Sequence, residues 1–267
     1  MKKIILFLVL ICIPINLSFA ELIVVGDLAR SKIVSPGEKV EGAILLKNNG
    51  DKPVRAKAYL TDYLYFADGR NMYGEPGKLK RSNANWITLN PAQITIPAKE
   101  TTSLYYTLSV PKDSLLKGTY WSMVMVEALP AERVQSIKEE KKKQTLSLQT
   151  IIRYGIQIST DIEDSGKPIL KIADKKLVSQ DGHYLLRLDM ENEGDRMLAP
   201  SVWLDLYNKE GKNIGRFDSG KMRIYPGCSV RHVFDLTDVP KGSYKGLVVI
   251  DGGGQNVFGA QYDFAIN

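Results

Sequence analysis

The chain has 267 residues, 44% of them hydrophobic, with two cysteines and a formal net charge of +6 at pH 7. Its positive charge is spread through turns, without the dense basic and aromatic surface that nucleic-acid binding needs, so nucleic acid is not an expected partner. Cys12 lies in an apolar leader, which leaves Cys228 without a disulfide mate, and the fold must be held by its cores.

The leader comes first. Lys2 and Lys3 precede the apolar run IILFLVLICIPINL, and Ser-Phe-Ala at 18–20 supplies small residues for cleavage. The run is too short, and too soon followed by polar sequence, for a membrane span. Cys12 sits between Ile11 and Ile13, unlike a lipoprotein cleavage site. Residues 1–20 therefore read as a cleaved signal peptide, and the mature protein as periplasmic, without stable membrane insertion. Loss of Lys2 and Lys3 takes the charge from +6 to +4. The remainder suffices for one large domain or two of about 100–125 residues.

From there the chain reads as strands. Short runs rich in Val, Ile, Tyr, Leu and Thr recur between turns such as NNGD at 48–51, ADG at 67–69 and KEG at 209–211. The stretch 61–85 reads as a hairpin or edge excursion. Residues 132–143, which include KEEKKK at 138–143, are too polar to pack as a helix and are expected to form a mobile, solvated loop. After them, QTLSLQTIIRYGIQI at 144–158 alternates apolar and polar residues. Leu146, Leu148 and Ile152 project to one face of an extended strand; Ser147, Gln149 and Ile151 project to the other. Buried in a sheet, such a strand is ordinary core. At an open edge, it can be given to another protein as a missing strand.

The plan then repeats. ILLKNNGDKPVRAKAYL at 44–60 parallels LDMENEGDRMLAPSVWL at 188–204, and the segment 93–127 parallels 222–251. Tyr120 and Tyr244 each follow Lys-Gly-Thr/Ser at the entry to a valine-rich strand, where sandwiches often place a corner tyrosine. The fold class predicted is all-β: two successive seven-stranded, immunoglobulin-like antiparallel β-sandwich domains, 21–160 and 161–267. The polar run DIEDSGK at 161–167 marks their boundary.

Four segments carry a resemblance: SPGEKVEGAILLKNNG at 35–50, TIPAKETTSLYYTLSVP at 95–111, SMVMVEALP at 122–130 and SLQTIIRY at 147–154. In order and spacing, the first domain resembles the N-terminal domain of the periplasmic chaperones of pilus assembly, the PapD-like family. That resemblance implies a donor strand carrying Leu146, Leu148, Thr150 and Ile152. It also implies that Arg153 grips the C-terminal carboxylate of a client subunit, a task suited to a permanently charged fork of donors. The family's second basic anchor falls at Ser31, flanked by Arg30 and Lys32, either of which could serve. Tyr154-Gly-Ile replaces the family's Tyr-Arg-Pro, and Gln144 stands at the next donor position. The implied partners are pilus or fibre subunits and an outer-membrane usher, with no cofactor and no metal.

Other residues point to no chemistry. His183 and His232 read as partly exposed structural residues, and Cys228, after Pro226-Gly227, as a semi-buried inert thiol. DGGGQN at 251–256 has too few carboxylates for Ca²⁺ and reads as a hairpin. Trp86 is a surface candidate that, with Tyr73, could belong to a carbohydrate platform, while Trp121 and Trp203 read as core. The function expected is therefore a non-enzymatic chaperone. Its rivals are a structural or adhesive envelope protein with two spacer domains and, third, a carbohydrate-binding module.

Overall fold

A computed structural model describes residues 21–130, 151–253 and 257–266. The leader, the charged stretch 132–143, and Leu146, Leu148 and Thr150 of the expected donor strand lie outside the described residues.

The described chain is all-β apart from one short 3₁₀ turn at Ala84–Trp86. Its first strands are β1 (Leu22–Val25), β2 (Ala29–Val34), β3 (Lys39–Asn48), β4 (Val54–Tyr65) and β5 (Asn71–Gly74). They continue with β6 (Ile87–Asn90), β7 (Gln93–Ile96), β8 (Thr101–Ser109), β9 (Gly118–Ala128) and β10 (Arg153–Ile162). One sheet runs β1-β3-β8-β6 and the facing one β2-β10-β9-β4-β5, with β7 added to β4. Alternation decides which side chains turn inward. Along β10, Ile156, Ile158 and Ile162 are buried, and they meet Ile44, Leu46 and Leu104 of the other sheet in one core. Each such side chain contributes about 1.5–3 kcal/mol by leaving water.

The second group holds β11 (Leu170–Gln180), β12 (His183–Asn192), β13 (Ser201–Asn208), β14 (Asn213–Lys221), β15 (Ser229–Asp235), β16 (Gly242–Asp251) and β17 (Val257–Ile266). Its sheets run β11-β12-β15 and β14-β13-β16-β17, around a separate core that includes Leu188, Leu204 and Val248.

Two asparagines show the internal repeat in atoms. The Nδ2 of Asn48 donates to Lys52 O (2.7 Å) and Ile96 O (3.1 Å), and its Oδ1 accepts from Gly50 N (2.8 Å). Asn192 does the same with Arg196 O (2.8 Å), Ile224 O (2.9 Å) and Gly194 N (2.9 Å). Both are fully buried, so each satisfies backbone groups that would otherwise be orphaned in a turn. The corner tyrosine is present at Tyr244, whose hydroxyl donates to Pro240 O at 2.5 Å. Tyr120 instead packs its ring between Trp86 and Arg81.

Several expectations are corrected. The first group has ten strands rather than seven, and β2 pairs with β10 in parallel, so it is not purely antiparallel. The cause is a crossing of the first segment between sheets: β1 pairs with β3, the chain turns at Gly26 (φ 91°), and β2 joins the other sheet. The excursion after β4 is pinned by Asp62, a buried carboxylate. It accepts from the amides of Gly77 (3.0 Å), Lys78 (2.8 Å) and Leu79 (2.7 Å) and from the Ser82 hydroxyl. Trp86 packs against the first core instead of standing free. Trp203 is half-buried, bonded to Asp205 and covered by Arg216, so it is not core. His232 and Cys228 are both fully buried. Burial pushes the Cys228 thiol up to about 12, which leaves it unreactive.

The two groups meet at a small interface. Trp121 stacks on Tyr225 with ring centroids 4.9 Å apart. The Tyr65 hydroxyl donates to Arg223 O at 2.5 Å, and Thr119 N donates to Asp195 O at 2.8 Å. Burial would push the Asp195 carboxyl up, but the Lys167 amide, Lys117 and Arg81 together hold it below the usual carboxylate range.

Candidate functional site

The sheet crossing at Gly26 leaves a gap beside β10. Its partner β9 runs alongside all of it, from Arg153 opposite Glu127 to Ile162 opposite Gly118. On the other side, β2 begins only at Gln157, opposite Ala29. Among the described residues, Arg153 to Ile156 therefore have a neighbouring strand on one side alone. The Gln157 amide donates across to Leu28 O (2.8 Å), away from β9. Residues two and four positions earlier point their backbone groups the same way, so Gly155 and Arg153 present N–H and C=O groups to the open edge. Such an edge is a template for one more strand.

The same residues shape a cleft below that edge. Gly155, Gln157, Met123, Tyr63 and Arg223 line it, with Asp27 at its rim. A Cβ placed on Gly155 would fall 2.1 Å from Met123 Cε, so the flexible end of the methionine packs over the glycine and would have to shift for any larger residue. Tyr63 stacks at a tilt on Tyr73, with centroids 5.0 Å apart.

The basic residues singled out in the sequence are not brought together. Arg153 projects outward from the start of β10 and binds Glu127 on β9, with both its Nε and its Nη2 2.9 Å from Glu127 Oε2. Lys57 (3.4 Å) and the Tyr59 hydroxyl (3.3 Å) hold the same carboxylate. Burial would raise the Glu127 carboxyl, yet Arg153 and Lys57 keep it below its ordinary value, and Glu127 in turn raises Arg153. Arg30 stands opposite Ile158 and shares its inward direction, and its guanidinium donates to Ala43 O in the facing sheet. Lys32, opposite Thr160, is exposed. Ser31 alone of the three turns outward, where its hydroxyl meets Ser159 at 2.7 Å. Arg153 and Arg30 therefore occupy opposite faces of one sheet. Ile152, at the end of the expected donor strand, is exposed and precedes the first residue of β10.

Arg223 was not foreseen. By the asparagine register, Ile224 corresponds to Ile96, so Arg223 stands where the first copy has Thr95. Neither a motif nor a periodicity marks it; only the meeting of the two sheet groups brings it into the cleft. Among the described residues no group of His, Cys, Asp or Glu is placed to hold a metal ion.

No family model and no curated protein matches the sequence. Solved structures do resemble the fold. One, a chaperone–tip adhesin complex of CFA/I fimbriae biogenesis, has 13% identity and a TM-score of 0.49, covering 91% of this chain and 98% of that one. Another, the CsuC–CsuE chaperone–tip adhesion subunit complex of Acinetobacter baumannii, has 17% identity and a TM-score of 0.45, covering 91% and 98%. The E. coli chaperone DraB has 13% identity and a TM-score of 0.41, covering 92% and 97%. These are distant likenesses.

Proposed function

We propose that this chain is a non-enzymatic periplasmic chaperone for subunits of a surface fibre, and that it works by pairing strands at the open edge of β10. The half-covered β10 is the observation that carries this reading. Among the described residues, Arg153 and Gly155 turn backbone groups to a side with no strand, and the alternating segment with Leu146, Leu148, Thr150 and Ile152 leads directly into them. A client whose own sandwich lacks a strand would gain ladder bonds from this edge and bury the apolar row, at about 1.5–3 kcal/mol per large side chain. No nucleotide or metal enters such an exchange. Delivery to an outer-membrane usher would follow, with 21–160 supplying the pairing edge and 161–267 the far wall of the cleft. Export by the leader at 1–20 places the protein in the compartment where such clients emerge. Among the described residues no helix is long and apolar enough to cross a membrane.

The test is co-purification from a periplasmic extract, with mass spectrometry of the bound proteins and a parallel preparation of the Leu148→Glu variant. The proposal expects fibre subunits with the wild type and their loss with the variant. Identical partners in both preparations would contradict it.

A further inference from the structure

We infer that Arg30 keeps an added strand away from a second open edge, on β3, by capping that edge with its guanidinium. This edge is separate from that of β10, and its closure stands whether or not β10 takes a client strand. The sheet crossing at Gly26 creates it. β8 runs alongside β3 from Lys39 to Lys47, whereas β1 covers only Leu45 to Asn48. Among the described residues, Lys39 to Ile44 therefore have a strand on one side alone. Glu38 O accepts from Val110 N and Asn48 N donates to Glu100 O, both at the ends of β8. Even-numbered residues of β3 thus turn their backbone groups to β8, and Glu41 and Ala43 turn theirs to the uncovered side. An incoming strand would need Ala43 O as a ladder acceptor.

That oxygen is taken. Arg30 reaches across from β2, in the facing sheet, and its Nη1 donates to Ala43 O, while its Nε lies 3.4 Å from Asp27 O at the crossing. The guanidinium stands where the amide of a next strand would lie. Its surroundings act the same way. Lys32 on β2, Glu41 on β3 and Asp27 at the crossing are all exposed and line the cleft between the two strands. Charged side chains at an edge discourage pairing, because an added strand must strip them of water. β10 differs on both counts: Gly155 has no side chain to obstruct a neighbour, and Glu127 holds Arg153 against the face of the sheet. Arg30 thus decides which of two open edges stays available.

The probe is a short Val-Thr repeat peptide, acetylated and amidated at its ends, titrated into the full-length ¹⁵N-labelled protein. In the wild type the Glu41 and Ala43 amides should not move. Arg30→Thr keeps a strand-forming residue too short to reach Ala43 O; it should let the peptide shift both amides, with affinity at this edge raised at least about tenfold, the worth of one charge-assisted hydrogen bond. Arg30→Lys, long enough to donate to Ala43 O, should keep the edge closed. Peptide shifts at Glu41 and Ala43 in the wild type would overturn the assignment, and so would a threonine variant in which both stay still. Should that variant fail to fold, the wild type decides: the Arg30 Nη protons should exchange slowly and ignore the peptide, and exchange as fast as at the exposed Arg223 would contradict capping. The Gly155 amide reports on β10 in the same titrations, so failure at one edge is read apart from failure at the other.

Discussion

Arg153 and Glu127 face each other across β10 and β9, with two guanidinium nitrogens 2.9 Å from one carboxylate oxygen. The carboxylate is nearly buried at 10% side-chain exposure, whereas the guanidinium is 53% exposed. The pair closes the outer face of the sheet beside the open edge. It fixes the start of β10, so the free backbone groups of Arg153 and Gly155 are presented in a ready-made extended form.

Arg153→Ala is expected to leave the fold intact at neutral pH, since Lys57 and Tyr59 still hold Glu127. The loss should be small, as for any ion pair with a solvent-exposed member. Glu127 has a depressed folded value. Its contribution is therefore present above the unfolded carboxylate range and disappears as pH falls through the folded value. Urea unfolding from pH 7 down through the acid range checks this: the variant and wild type should differ at pH 7, and the difference should shrink as pH falls below the ordinary carboxylate range.

His232 supplies a second pH dependence. It is fully buried, its Nδ1 is 2.7 Å from Ser219 Oγ, and its Nε2 has no hydrogen-bond partner among the described residues. Burial lowers its pKa from 6.5 to about 4. The unfolded chain then takes up a proton that the folded chain refuses, so stability falls as pH drops from 6.5 towards 4. The total is on the order of 3 kcal/mol. His232→Gln should flatten the stability profile over this interval in denaturant titrations, whatever its effect at pH 7. An unchanged slope would show that His232 titrates normally.

Gly118 fixes the junction between the two sheet groups. Its φ is +70°, and a Cβ there would fall 1.8 Å from the Asp195 carbonyl oxygen, the acceptor for Thr119 N. Gly118→Ala should destabilise the chain by at least about 1 kcal/mol. It should also loosen the two groups relative to each other, visible as a larger radius of gyration in solution scattering. A compact variant of wild-type stability would mean that the junction tolerates displacement.

The parts legible in the sequence are those governed by local pattern. NNGD and ENEG repeat because Asn48 and Asn192 solve the same turn with the same hydrogen bonds. The isoleucines of β10 alternate because one face is core. What escaped is long-range. Nothing local says that the chain crosses sheets at Gly26, which is what shortens β2 and opens the edge. Glu127 lies 26 residues before Arg153, and only the strand register makes them partners. Ser31, Arg30 and Lys32 were ambiguous because successive residues face opposite ways, and the parallel pairing with β10 decides which face each takes. Arg223 belongs to the second copy, and its place in the cleft depends on how the two groups dock.

Leu148→Glu should leave the free protein soluble and folded while blocking client capture. A carboxylate within a client's core would lack a partner, at a cost of several kcal/mol. Circular dichroism and size-exclusion chromatography would follow the fold, and co-purification the binding. An insoluble variant would instead assign this position to the protein's own core.

The central claim is that the backbone of β10 between Arg153 and Gly155 is the pairing edge. Amide hydrogen exchange tests it residue by residue, with Gly155 as the reporter and Gln157 as the internal control. The Gly155 amide should exchange far faster than the Gln157 amide, which is bonded to Leu28 O, in the free protein. A bound fibre subunit should then bring Gly155 to comparable protection. Protection of Gly155 in the free protein, or fast exchange that persists in the complex, would contradict the account.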